Sequence, residues 1–233
     1  MIPRIIHQIW EGRTEPLPDY FRQLGETWKE HHPAWQYEYW DGDRTEAFVH
    51  NHYPHLATVY FNYRYDVQRR DAIRYLILYS MGGMYVDFDY QCFQSFESYL
   101  SGDKCYFSME PDSHRRTFGK DVYFNNALMI TPPSHPFFEA VITHLQTTSI
   151  PYSEGKFRDV LTSTGPLMLT ELYEKYENKT EIHLFTPEQV SPLSQSEVWN
   201  LANGTANSQL LENKLEKALA VHFFCGTWLN DDT

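Results

Sequence analysis

Asp87 and Asp89 stand one residue apart at the end of the run Met81-Gly82-Gly83-Met84-Tyr85-Val86. The run reads as a helix end, a Gly-Gly break and a short apolar strand. Alternate side chains of a strand share a face, so the two carboxylates are expected to project together. Two hard carboxylate oxygens can hold a divalent cation and leave coordination positions open for a diphosphate. Carboxyl ends of strands in open α/β sheets are also where ligands gather. In a chain this acidic the spacing also arises by chance, with a turn or capping role as the alternative.

Other residues offer matching chemistry, each with a plainer alternative. Asp71 and Arg74 are three apart on the preceding helical stretch and share a neighbouring face. They are either an exposed ion pair of little energetic weight, or a carboxylate for ribose or base and a guanidinium for phosphate or sugar oxygens. Trp10, closing the first strand, is either core or a stacking surface for a planar base. His222 is either a buried core histidine or a neutral imidazole completing a Mn²⁺ site begun by the carboxylates. Thr227 and Trp228 carry hydroxyl and indole N–H donors suited to phosphate. Asp87 admits a second chemistry. In haloacid-dehalogenase-like phosphotransferases an apolar strand also ends in DxD, with the first Asp as nucleophile. There a Thr or Val follows two residues on and the motif opens the domain. Here Tyr90-Gln91 follows, far from the start.

The elements that must position these groups alternate. Arg4 to Trp10 is a β-branched strand, and Asp19 opens a helix to His32 with Phe21, Leu24 and Trp28 at helical spacing. Gln36–Trp40 reads as a strand and Arg44–His52 as a short helix. Leu56 to Ser80 is expected to be helical for much of its length, ended by Gly82-Gly83. Cys105–Met109 and Asn125–Ile130 read as strands, with a polar mobile loop from Glu110 to Lys120 between them. Helices follow at Pro136–Gln146 and Leu167–Tyr176, then strands at Ile182–Phe185 and Leu219–Phe224. Pro187 to Ser208 reads as irregular. This order predicts an α/β fold with a largely parallel sheet.

The 233 residues suffice for one core, and 42% hydrophobic with 16% aromatic content excludes disorder. A net charge of -12 argues against nucleic-acid binding, while leaving room for local basic pockets at Arg69, Arg70 and Arg74 and at Arg115 and Arg116. Three cysteines without CxxC spacing fit neither a disulfide framework nor a structural zinc. Met1-Ile2-Pro3-Arg4 lacks an apolar signal core, and the apolar run Tyr75–Val86 is too short to span a bilayer. A cytoplasmic protein is therefore expected, and the sequons at Asn178 and Asn203 are read as chance matches.

Together the blocks Ile5-Ile6-His7-Gln8-Ile9-Trp10, Asp71-Ala72-Ile73-Arg74-Tyr75 and Gly82 through Asp89 resemble the signature of DXD-containing sugar-binding glycosyltransferases. This is glycosyltransferase family 32, which includes yeast initiating α-1,6-mannosyltransferases and bacterial capsular or lipopolysaccharide enzymes. The blocks are also similar to the glucosyltransferase domains of large clostridial toxins. Asn126-Ala127, His135-Pro136, Thr164-Gly165-Pro166 and His222 through Trp228 resemble the family's later, looser blocks. The resemblance implies a single GT-A domain over 1–233. Residues 1–100 would bind the nucleotide, and 101–233 would supply the donor and acceptor part and a diphosphate-binding tail. It implies transfer of a hexose from a UDP- or GDP-linked sugar, with retention and with Mn²⁺ or Mg²⁺, to a glycan or lipid-linked acceptor. Carried over by motif, Trp10 would stack on the base, Asp71 would bind nucleoside or sugar, and Arg74 would hold sugar or phosphate. Tyr85 would line the nucleotide site, Asp87 and Asp89 would engage ribose and metal, and His222 would be a third metal ligand. Asn126 would touch the donor sugar, and Thr227 and Trp228 the diphosphate. Lacking the N-terminal anchor of the yeast members, the chain is expected to act in bacterial surface-polysaccharide synthesis. It would rest peripherally on the inner face of the membrane. A phosphotransferase with Asp87 as nucleophile and a non-catalytic nucleotide-sugar-binding module are the competing readings.

Overall fold

The computed structural model describes residues 1–229 apart from Thr14, Ser149 and Pro151. Six strands form the main sheet: β1 (Ile5–Ile9), β2 (Gln36–Trp40), β3 (Gly83–Val86), β5 (Cys105–Met109), β6 (Phe124–Thr131) and β7 (Ile182–Phe185), in the order β2-β1-β3-β6-β5-β7. β1 pairs in parallel with β2 and β3, and β5 with β7. Only β6 runs against its neighbours β3 and β5. The sheet is thus mostly parallel, as the alternating order predicts. The one reversed strand brings Asn125 and Asn126, at its start, to the edge where β1 and β3 end. A second, two-stranded sheet pairs β4 (Tyr90–Cys92) antiparallel with β8 (Ala220–His222).

Side-chain alternation sends Tyr85, Phe107 and Met129 to one face of the main sheet and Met84, Val86, Tyr106, Leu128 and Ile130 to the other. The first face packs against α4 (Asp66–Met81), α6 (Pro136–Thr147) and α8 (Pro166–Lys175). The second meets α1 (Asp19–His31) and the small sheet. Trp28 of α1 is fully buried there, its indole N–H donating to the Tyr90 carbonyl at 3.0 Å. α4 is buried on most of its surface, Asp71 and Arg74 included. Its exit into β3 requires glycine: Gly83 has φ +96°, and a Cβ there would lie 2.6 Å from the Ile5 carbonyl oxygen.

Several expected boundaries shift. The stretch from Leu56 to Ser80 breaks into α3 (Ala57–Phe61) and α4, because the Gln68 side chain accepts the Tyr65 N–H and starts a new helix. The expected loop from Glu110 to Lys120 contains α5 (Asp112–Thr117). The segment after Pro187 is not irregular but holds α9 (Pro187–Val190), α10 (Gln195–Ala202) and the start of α11 (Ser208–Leu215). The remaining α-helices of the described residues are α2 (Gly42–His52) and α7 (Lys156–Ser163). No helix of the described residues is long and apolar enough to cross a membrane.

Candidate active site

At the carboxyl ends of β1 and β3 and the start of β6 lies a cavity of about 710 Å³, within the usual size of small-molecule sites. Trp10, Asp71, Arg74, Tyr85, Asp87, Asp89, Asn126, His222, Thr227 and Trp228 all line it. The sequence-selected residues therefore converge on one place.

The two aspartates do so by a route other than strand alternation. β3 ends at Val86, and Asp87-Phe88-Asp89 is a turn closed by the Tyr90 N–H donating to the Asp87 carbonyl. Phe88 plugs into Phe21 and Leu24, so the flanking carboxylates are left at the cavity with different neighbours. Asp87 receives the Arg74 guanidinium (3.2 Å) and the Tyr85 hydroxyl. Asp89 lies 3.2 Å from His222 Nε2 and accepts the Cys225 N–H at 2.9 Å. The β4–β8 ladder explains this meeting: Tyr90 is in register with His222, and the two rings stack at 4.4 Å.

Burial decides the electrostatics, and local charges correct it. Burial raises the Asp87 carboxyl, with Arg74 opposing and Asp89 adding to the rise. Burial also works against the Asp89 carboxylate, but the His222 charge and its hydrogen bonds outweigh it, so Asp89 is held low. For His222 burial disfavours the cation, yet Asp89 prevails and the imidazole is raised. Asp71, 4% exposed, is pushed by burial up to about 6 despite Arg74, Asn126 and Thr164.

Asp71 and Arg74 are not the exposed ion pair of the plainer alternative. Both are buried, 3.2 Å apart. Arg74 also donates to the carbonyls of Arg70 (3.1 Å) and Asn126 (3.0 Å), so the protein engages all three guanidinium nitrogens. The expected basic pockets are neutralised: Arg69 pairs with Asp66, Arg70 with Glu11, and Arg115 and Arg116 with Asp112. Trp10 is half-buried, tilted against Phe21 at 5.7 Å. Trp228 stacks in parallel on the exposed Phe157 at 6.0 Å, carrying the tail to α7.

The cavity has further walls that sequence reading missed. Glu110 is buried and accepts from Asn125 (2.8 Å) and pairs with His114 (2.6 Å), whose other nitrogen accepts the Gln195 N–H at 3.2 Å. This chain ties α5 to the start of α10. Its members are polar residues in separate segments, and no spacing links them. Tyr75 and Thr164, beneath Asp71 and Asn126, were seen only inside longer blocks.

Residues 18–106 match the model of the glycosyltransferase sugar-binding region containing a DXD motif. The chain carries the sugar-binding region of this DXD glycosyltransferase family. It is 34% identical over 179 residues to inositol phosphoceramide mannosyltransferase 2 of Schizosaccharomyces pombe, covering 77% of this chain and 48% of that one. To mannosyl phosphorylinositol ceramide synthase of Saccharomyces cerevisiae it is 31% identical over 181 residues, covering 76% and 43%. The chain thus spans about half the length of these curated relatives. Among solved structures it resembles the PaToxG glycosyltransferase, with a TM-score of 0.57 at 16% identity over 93% of this chain and 77% of that one. That likeness shows the fold, the GT-A type expected from the motifs.

A DXD glycosyltransferase of this kind implies a divalent cation, and the donor set can be tested for it. Among the described residues no group of three or more His, Cys, Asp or Glu side chains is arranged to hold a metal ion. Asp87, expected as a metal ligand beside Asp89 and His222, is paired with Arg74 at 3.2 Å. Asp89 and His222 do fit. His222 Nδ1 is buried without a partner, and Nε2 faces the Asp89 carboxylate at 3.2 Å. Two acceptors so placed call for a proton or a metal ion between them. One carboxylate and one imidazole, completed by ligand phosphates, is an ordinary set for Mg²⁺ or Mn²⁺.

Proposed function

We propose that the chain transfers a hexosyl group from a nucleoside-diphosphate sugar to a lipid-borne hydroxyl with retention, using Mn²⁺ or Mg²⁺. The observation that carries this reading is the meeting of Asp89, His222 and the Arg74–Asp87 pair at the strand ends, inside a cavity of nucleotide-sugar size. The names of the relatives favour mannose as the sugar and a phosphoinositol lipid as the acceptor. These replace the bacterial surface polysaccharide as the leading acceptor.

In this reading Trp10 offers its face to the base, and Thr227 and Trp228 border the diphosphate. Asp89 and His222 would hold the cation, which when bound supplies charge stabilisation for the departing diphosphate. Arg74 holds Asp87 and Asp71 in place, and Asn126 meets the sugar. Retention by double displacement needs a carboxylate nucleophile. Of the six carboxylates that line the cavity among the described residues, Asp71, Asp87, Asp89 and Glu110 are each already held, by Thr164 and Asn126, by Arg74 and Tyr85, by His222, and by Asn125 and His114. Glu11 pairs with Arg70, and Glu15 is exposed in the loop after β1. We therefore assign front-face attack. The acceptor oxygen bonds to the anomeric carbon as the carbon–phosphate oxygen bond breaks, and the acceptor proton passes to the leaving phosphate oxygen. Holding Asp87 with Arg74 and Tyr85 also leaves it a poor nucleophile for phosphoryl transfer.

The test is incubation with GDP-mannose and a panel of UDP-sugars, with detergent-dispersed phosphatidylinositol as acceptor, with Mn²⁺ and after chelation. Nucleoside diphosphate release and an α-linked glycolipid by NMR are expected, with loss on chelation. An inverted linkage, a phospho-aspartate, or turnover unaffected by chelation would each refute the corresponding part. Product on a polysaccharide acceptor alone would restore the earlier acceptor class.

A further inference from the structure

We infer that Thr164 and Tyr75 are positioning residues that set which atom of Asn126 the donor sugar meets. Four groups close a hydrogen-bonded ring beneath the cavity. The Tyr75 hydroxyl donates to the Thr164 carbonyl at 2.6 Å. Asn126 Nδ2 donates both to the Tyr75 oxygen (2.9 Å) and to Asp71 Oδ1 (2.8 Å). The Thr164 hydroxyl donates to Asp71 Oδ2 at 3.0 Å, completing the circuit.

Every direction in this ring is forced. A backbone carbonyl and a carboxylate only accept, so Tyr75 must donate to Thr164, and Thr164 must donate to Asp71. The Tyr75 oxygen is then left to accept, and Asn126 must turn its nitrogen inward to both Tyr75 and Asp71. Asp71 Oδ1 also takes the Arg74 guanidinium at 3.2 Å. All four residues are buried, between 0% and 6% exposed, so water does not compete. Asn126 lines the cavity, and among the described residues no group donates to its Oδ1. The amide therefore offers an acceptor, which pairs with a hydroxyl and repels phosphate oxygen. Asp71 acts on the ligand through Asn126.

The inference rests on the proposed nucleotide-sugar donor and makes it more specific: the ring addresses a sugar hydroxyl and not the nucleoside diphosphate. Calorimetric affinities for GDP-mannose and for GDP, with Mn²⁺, separate the two. Thr164→Val and Tyr75→Phe are expected to weaken GDP-mannose binding about tenfold, the worth of a hydrogen bond in a charged network, and to leave GDP affinity unchanged. Thr164→Ser restores the hydroxyl and should recover the affinity. Among mono-deoxy GDP-mannose analogues, one position should bind weakly to wild type and show no further loss with Asn126→Ala. Retained GDP binding certifies that each variant is folded. Equal losses for GDP and GDP-mannose, no loss at all, or no recovery with Thr164→Ser would overturn the positioning role. Failure of wild type to bind any nucleotide-sugar would instead overturn the donor reading and this inference with it.

Discussion

Asp71 gives the most quantitative prediction. Its carboxyl is 4% exposed, and burial moves it from 3.8 to about 6. A rise of that size means that the ionised form costs the folded state about 3 kcal/mol at neutral pH relative to the unfolded chain. The sign follows from proton binding. Between the two values the folded protein holds a proton that the unfolded chain has released, so stability falls as pH rises from about 4 to above 6. Asp71→Asn keeps a neutral side chain of the same shape at every pH. Urea unfolding of wild type and variant across that range reads the contribution of Asp71 together with the change its loss makes at Asp87, which shares Arg74. The variant's stability relative to wild type should rise by about 3 kcal/mol from pH 4 to pH 7.5. A flat difference would show that Arg74 fully offsets burial. A difference of opposite slope would show that the Arg74 pair, not burial, governs this carboxyl.

Three further outcomes follow from the same geometry. Gly83→Ala puts a Cβ against the Ile5 carbonyl at positive φ, and thermal unfolding should show a loss of about 3 kcal/mol or more. Trp28→Ala empties a fully buried indole site and leaves the Tyr90 carbonyl without its donor; a loss of about 3–5 kcal/mol in denaturant unfolding is expected. Asp89→Asn keeps an oxygen for the Cys225 N–H but removes the negative charge paired with His222. It should cut turnover on GDP-mannose about a hundredfold or more, measured by diphosphate release, and also lower the melting temperature, because the buried Asp89–His222 pair is lost.

The fold was readable where local rules and packing agree. β1, β2, β7 and α1 fall where β-branched runs, helical spacing and proline place them, and Gly82-Gly83 marks the helix-to-strand exit because only glycine satisfies its backbone. Strand direction was not readable. Nothing in Phe124–Thr131 says that it runs against its neighbours, since direction is fixed by the path of the chain before it. The β4–β8 ladder was missed for a similar reason: three residues far apart in sequence pair only once both ends are in place. In the site, Asp87 and Asp89 were found by spacing, although a turn and not a strand presents them. Asp71 and Arg74 were found, but their burial was not, because an i,i+3 ion pair reads alike on any face of a helix. Glu110, His114 and Thr164 carry no local pattern, and their meaning comes from partners 4 to 93 residues away.

Phe88 separates the two aspartates and ties them to α1. A Cβ on Gly25 would sit 3.0 Å from the Phe88 ring and 2.8 Å from Gln8 Oε1. The middle residue of the motif and a helix position sixty-odd residues earlier therefore share one volume. Divergence at either is constrained by the other: Ala or Ser at 25 needs both a smaller residue at position 88 and a shift of the Gln8 amide, while a larger helix residue expels the aromatic ring. Sequence variation among chains of this fold should show these two positions changing in compensation, with the aspartates themselves unaltered.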